Sequence, residues 1–249
     1  MMHTAAFVLR LVIVFGHEMV MIPSGSYRPL YATPSRAETK VSAFAVDRRL
    51  VTREQFEGFV RSHPEWQRGR VRTTFAEGQY LADWSTPMDA GDAVDRRRPV
   101  TNVSWFAARA YCAAQGKRLP TTDEWEYLAA ASETKRDASH DDSFLHRLAA
   151  LYASRPRATG ITNVYGVSDM HAPVWEWTLD FNDVIASDDS RTAGSGADAA
   201  SHDVFCASAA LGATNLANYP AFLRAAMRAG LTGRATLDGL GFRCAADAA

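Results

Sequence analysis

The side chains of this 249-residue chain best suited to chemistry are a cysteine, two histidines and a set of carboxylates in its second half. Cys206 and His202 lie four residues apart, and His171 stands upstream in the run HAPVWEW. A thiolate with two imidazoles is a mixed set that copper, zinc or iron accepts if the segment around Cys206 folds over the His171 turn. Cys206 would then be the catalytic candidate. The competing reading is a small buried cysteine and two surface histidines, and the loose spacing, about three dozen residues in all, favours it. A Ser, His and Asp triad can be drawn on paper, but the sequence has no nucleophile elbow. It has no P-loop and no GxGxxG run either.

Elements that could position such groups are written most densely between Arg98 and Leu128, RPVTNVSWFAARAYCAAQGKRLPTTDEWEYL. Ser104 suits the N-cap of a helix from Trp105, and Gly116 marks its stop. Thr121 and Glu124 form a capping-box pattern for a second helix, with Pro120 blocking backward extension. Upstream, Thr52 and Gln55 repeat the pattern, with Phe56, Phe59 and Val60 as the inner face and Pro64 past the end. Residues 66–99 carry so many glycines and prolines that a long surface loop is expected, with Arg96, Arg97 and Arg98 as a solvated face. Ser132 to Asp142 is polar and expected to be exposed. Ser143 to Ala153 has helical spacing, with Phe144, Leu148, Leu151 and Tyr152 as its buried set. Pro220 suits the first turn of a helix with Phe222, Leu223, Ala226 and Met227 on one side and Arg224 and Arg228 on the other.

Four landmarks together resemble one family. The Arg98 to Leu128 stretch is similar to the signature of the formylglycine-generating enzyme, or sulfatase-modifying factor, family. NVYGVSDMHAPVWEWTLDF at Asn163 to Phe181, LGFRCA at Leu240 to Ala245 and MVMIPSGSY from Met19 resemble further family landmarks in the family's order. The resemblance implies an α+β, irregular and loop-rich formylglycine-generating-enzyme fold, C-type-lectin-like, with short helices around antiparallel sheet. It also implies a structural disulfide between Cys112 and Cys244, though in a reducing compartment the two would be ordinary buried thiols. A structural calcium site is implied at Asp169, Ala172, Val174 and Glu176, where two carboxylates bracket a turn of exposed carbonyls. The competing reading pairs Glu176 with an arginine and leaves Asp169 to cap the turn. A second calcium loop of the family, expected near Ser143 to Ala153, is not carried over.

The family's chemistry rests on a cysteine pair, five residues apart, that binds copper(I) and activates oxygen, since two thiolates are the soft ligands copper(I) selects. Here the corresponding region contains only Cys206. Two function classes follow. The first is an accessory, maturation or binding protein without the usual activity, in which Ala186 to Asn218 forms a recognition surface. The second is a metal-dependent oxidoreductase that resembles siderophore-maturation members or uses a copper site at Cys206.

Composition sets the outer bounds. With 47% hydrophobic residues the chain can bury a substantial core, and residues 19–249 read as one domain. A net charge of -1 with no clustered basic element argues against nucleic acid. Residues 1–18 hold a short apolar run interrupted by Arg10, too short to span a bilayer, and read as a first strand or a degraded export signal. Periplasm and cytoplasm both stay open. The sequence leaves the protein or small-molecule partner unnamed.

Overall fold

In the computed structural model, residues 18–29, 37–154, 159–171, 174–182 and 218–248 are described. The residues 1–17, which contain the expected first strand or export signal, lie outside them. The sheet forms where apolar runs are short: β1 (Met19–Ile22) pairs antiparallel with β4 (Phe44–Asp47), which pairs antiparallel with β7 (Ala245–Asp247). The order β1-β4-β7 puts β4 in the centre, and all four of its residues are buried. Near the start of the chain, β2 (Gly25–Tyr27) pairs antiparallel with β3 (Thr39–Val41). A third pairing is parallel, between β5 (Trp175–Glu176) and β6 (Leu240–Gly241). Gly241 is required there, because a Cβ at this position would lie 2.5 Å from the carbonyl oxygen of Val100.

Helices start where side chains satisfy the orphan amides of the first turn. α1 (Arg53–Ser62) carries a complete capping box from Thr52 and Gln55, and Phe56, Phe59 and Val60 are buried. α2 (Trp105–Ala114) is capped by the Ser104 hydroxyl, which accepts from the Ala107 amide at 3.2 Å. It ends at Gly116, whose φ of 68° is the left-handed geometry that glycine adopts without penalty. α3 (Thr122–Ala129) has the capping box of Thr121 and Glu124. α4 (Asp142–Ser154) and α5 (Tyr219–Ala229) complete the α-helices among the described residues, with short 3-10 turns at Pro64–Trp66 and Asp95–Arg97. The architecture is α+β, with short helices around small sheets and much irregular chain between them.

The two largest of three apolar clusters among the described residues hold these pieces. In the larger, Phe56 lies 5.7 Å from Tyr111 and 6.1 Å from Phe242, joining α1, α2 and the segment after β6. The smaller packs Ile22, Phe44 and Val46 against Trp125 and Leu128 of α3. A disulfide links Cys112 of α2 to Cys244, 132 residues apart, with both cysteines fully buried.

Four local expectations change. The 66–99 segment is largely without regular structure, but it is no surface loop, because Tyr80, Leu81 and Trp84 are buried in the larger cluster. The arginine run is not simply solvated: Arg96 pairs with the buried Glu57 at 3.1 Å, and Arg98 with Asp95 at 2.7 Å. In the polar stretch after α3, Ser132 and Ala138 are buried. In α4 the buried set is Phe144, Leu145 and Leu148, while Leu151 and Tyr152 are only partly covered.

Candidate functional site

Residues 159–171 form a chain of turns pinned by its own polar groups. Asn163 accepts the amides of Tyr165 and Val167 at 3.1 and 3.0 Å, while its side-chain amide donates to the Leu128 carbonyl at 3.0 Å. Asp169 has φ of 58°, a left-handed geometry in which its carboxylate folds back over the turn. Its Oδ1 accepts three hydrogen bonds, from the Thr159 amide, the Thr159 hydroxyl and the Gly160 amide, at 2.7 to 3.0 Å.

Glu176 sits one residue before Trp177, on β5 beside β6. Both of its oxygens are held by Arg243: Nε donates to Oε2 at 2.7 Å and Nη2 to Oε1 at 2.8 Å. Neither side chain has any exposed surface. The rest of the guanidinium donates to carbonyls, Nη2 to Ser168 at 3.2 Å and Nη1 to Asp47 and Arg48 at 3.4 and 3.3 Å. A paired and hydrogen-bonded charge is the form in which a buried ion survives desolvation.

His171 lies in a ring of aromatics, 6.2 Å from Trp125, 6.0 Å from Phe144 and 6.1 Å from Tyr152 between centroids. Its Nε2 is 2.9 Å from the Ala129 carbonyl, which can only accept, so Nε2 carries the proton and Nδ1 accepts from the Tyr152 hydroxyl at 3.4 Å. Burial, reinforced by the nearby Arg224 cation, pushes its pKa down to about 3. It is a neutral, structurally engaged imidazole at ordinary pH. A small cleft of about 30 Å³ opens beside it, lined by Phe144, Leu148, Ile161 and Met170 among others.

Beyond Tyr152 the polar chain continues. Arg224 of α5 donates through Nη1 to the Tyr152 hydroxyl at 3.2 Å, and through Nε and Nη2 to both oxygens of Glu126 on α3. Arg228 donates to Glu126 Oε1 at 2.6 Å. Both guanidiniums also lie over the Trp125 ring, at 5.3 and 5.0 Å, a cation–π arrangement. Burial opposes ionisation of Glu126, but the two arginines outweigh it and hold the carboxyl down to about 2. The expected division of α5 is thus corrected: Arg224 is buried, Arg228 is largely covered, and Ala226 is exposed.

The sequence candidates are not brought together among the described residues. His202, Cys206 and Ala172 lie outside them, as does the expected recognition loop up to residue 217. Among the described residues, no group of three His, Cys, Asp or Glu side chains is arranged to hold a metal ion. For calcium the donors as placed do not fit, since Arg243 takes both Glu176 oxygens and three donors take one oxygen of Asp169. Sequence reasoning missed Arg243, Glu126 and Tyr152 as members of these networks. The signal for the α5 pair was present as arginines four residues apart, opposite a Trp-Glu dipeptide on α3.

The sequence model of one family, described as the sulfatase-modifying factor enzyme 1-like domain, matches residues 14–248. The chain belongs to this family. Among its relatives, the bovine (Bos taurus) protein named inactive C-alpha-formylglycine-generating enzyme 2 is 27% identical over 92% of this chain and 88% of that protein. The mouse (Mus musculus) protein of the same name is 30% identical over 67% of this chain and 56% of its own length. The formylglycine-generating enzyme of Streptomyces coelicolor is 29% identical over 67% of this chain and 59% of that one. A solved structure, that of CarF, aligns with a TM-score of 0.49 and 16% identity, over 95% of this chain and all of that one. In this chain the landmarks around Ser104, Glu124, Glu176 and Arg243 build scaffold, with their charged groups held in internal pairs.

Proposed function

We propose that this chain is an accessory or binding member of the sulfatase-modifying factor family, without cysteine-to-formylglycine oxidation. One observation carries the reading. The chain has three cysteines, and the disulfide consumes Cys112 and Cys244, leaving Cys206 as its one remaining thiol. A copper(I) centre of the kind expected for the active family needs two thiolates, and a single soft ligand does not provide it. The bovine and mouse relatives, whose names call them inactive, support the same reading. The disulfide also favours the oxidising compartment of the two left open, because such bonds persist where thiol reductants are scarce.

The test uses the purified chain, titrated with copper(I) against a chromogenic competitor and then incubated aerobically with a cysteine peptide, with aldehyde detected by an aminooxy probe. No retained copper and no aldehyde is the expected result. Stoichiometric copper in the wild type, lost in Cys206→Ala and accompanied by aldehyde, would overturn it.

A further inference from the structure

Away from the His171 turn, a row of aromatic rings runs along the surface. Trp66, Phe75, Phe106 and Trp105 follow one another at centroid distances of 6.0, 5.3 and 5.3 Å. Phe75 is 36% exposed and the other three are partly exposed. Three segments build the row, and backbone bonds fix them together. The Trp105 amide donates to the Gly233 carbonyl at 3.1 Å, and the Glu77 amide to the Arg234 carbonyl at 3.0 Å. Gly233 lies flat under the Phe106 ring, where a Cβ would come within 3.0 Å of it.

Arginines border this row. Arg70 and Arg72 precede Phe75, Arg109 lies one turn after Trp105 with its guanidinium 5.3 Å over that ring, and Arg234 follows Gly233. All four are exposed, and none has a carboxylate partner among the described residues. Elsewhere Arg53, Arg96, Arg118 and Arg224 are each paired with an acid. The same segments also hold Arg68, whose guanidinium donates to the carbonyls of Leu81 and Ser85, and the acids Glu65 and Glu77, so a local excess of three positive charges stands on a chain of net charge -1.

We infer that this face docks an acidic polypeptide segment carrying apolar side chains. Partly exposed aromatics beside arginines without a carboxylate partner are the residue types that carry binding energy at protein interfaces, and the charge excess selects an acidic partner. Single-stranded nucleic acid fits less well, because it needs open ring faces for base stacking. Here the rings meet at 41°, 56° and 83°, turning edges into neighbouring faces. The inference names the partner chemistry of the binding role proposed above and rests on it, while copper retention reads that role separately.

Fluorescence anisotropy of the full chain tests it with a short labelled peptide of glutamates interleaved with leucine and phenylalanine. Its lysine counterpart and labelled oligo(dT) serve as the other arms. The acidic peptide is expected to bind tightest. Arg72→Glu with Arg109→Glu should weaken it roughly tenfold or more, and Phe75→Ser should weaken it too, with melting temperatures unchanged. Equal binding of the acidic and basic peptides, affinity indifferent to the charge reversal, or tighter binding of oligo(dT) would each overturn the inference.

Discussion

Removing either partner of the Arg243 and Glu176 pair strands a charge where no water can reach it. Glu176→Ala or Arg243→Ala should cost about 3–5 kcal/mol in urea unfolding, whereas replacing both by apolar residues of similar size should recover much of the loss. The same pair bears on calcium. With its carboxylate already neutralised by Arg243, the turn should show no change in melting temperature on adding EDTA or calcium, and a calcium-dependent rise that Glu176→Ala abolishes would contradict this. His171 supplies the pH handle. Its folded pKa of about 3 lies below the unfolded value near 6.5, so its contribution to stability is fully present above pH 6.5 and is lost as pH falls towards 3. Glu126 acts in the same direction only below its ordinary value of 4.5. Unfolding free energies should therefore already fall between pH 6.5 and 5 in the wild type, and His171→Phe should flatten that part of the curve.

Helix starts were legible in the sequence because a cap is local. Thr52 with Gln55, Ser104 and Thr121 with Glu124 each declare a first turn within four residues, and all three helices begin there. Thr121→Ala should cost about 1 kcal/mol, read by thermal melts, since it removes one cap and half of a capping box. Faces were less legible. In α5 an apolar stripe argued for burial of Leu223 and Met227, yet Arg224 is more deeply buried than either, because Glu126 and the Trp125 ring on another helix accept its charge. Arg224→Leu should leave Glu126 to Arg228 alone and raise its pKa, moving acid-induced unfolding to higher pH. Glu176 and Arg243, 67 residues apart, could be named as an arginine pairing in general but not as these two residues. The 66–99 segment hid its core residues because aperiodic chain gives no pattern from which to read burial.

At the scale of the whole molecule, the link between Cys112 and Cys244 closes a span of 132 residues. Chain-entropy arithmetic puts the stabilisation from such a loop at roughly 5 kcal/mol, so a Cys112→Ala, Cys244→Ala variant should unfold at markedly lower urea concentration, and reductant should shift the wild type to match. The order of strands has its own effect on how the fold is reached. β4 sits between a strand that precedes it by some two dozen residues and one that follows it by nearly two hundred, with Val46 facing Ala245. Asp47 depends on the same distant segment, accepting the Cys244 amide at 3.0 Å. During synthesis the central strand therefore waits, with one edge open, until residues 245–247 have left the ribosome, and contacts of such long range are slow to form. The protein's yield should therefore depend on chaperone supply more than its final stability suggests.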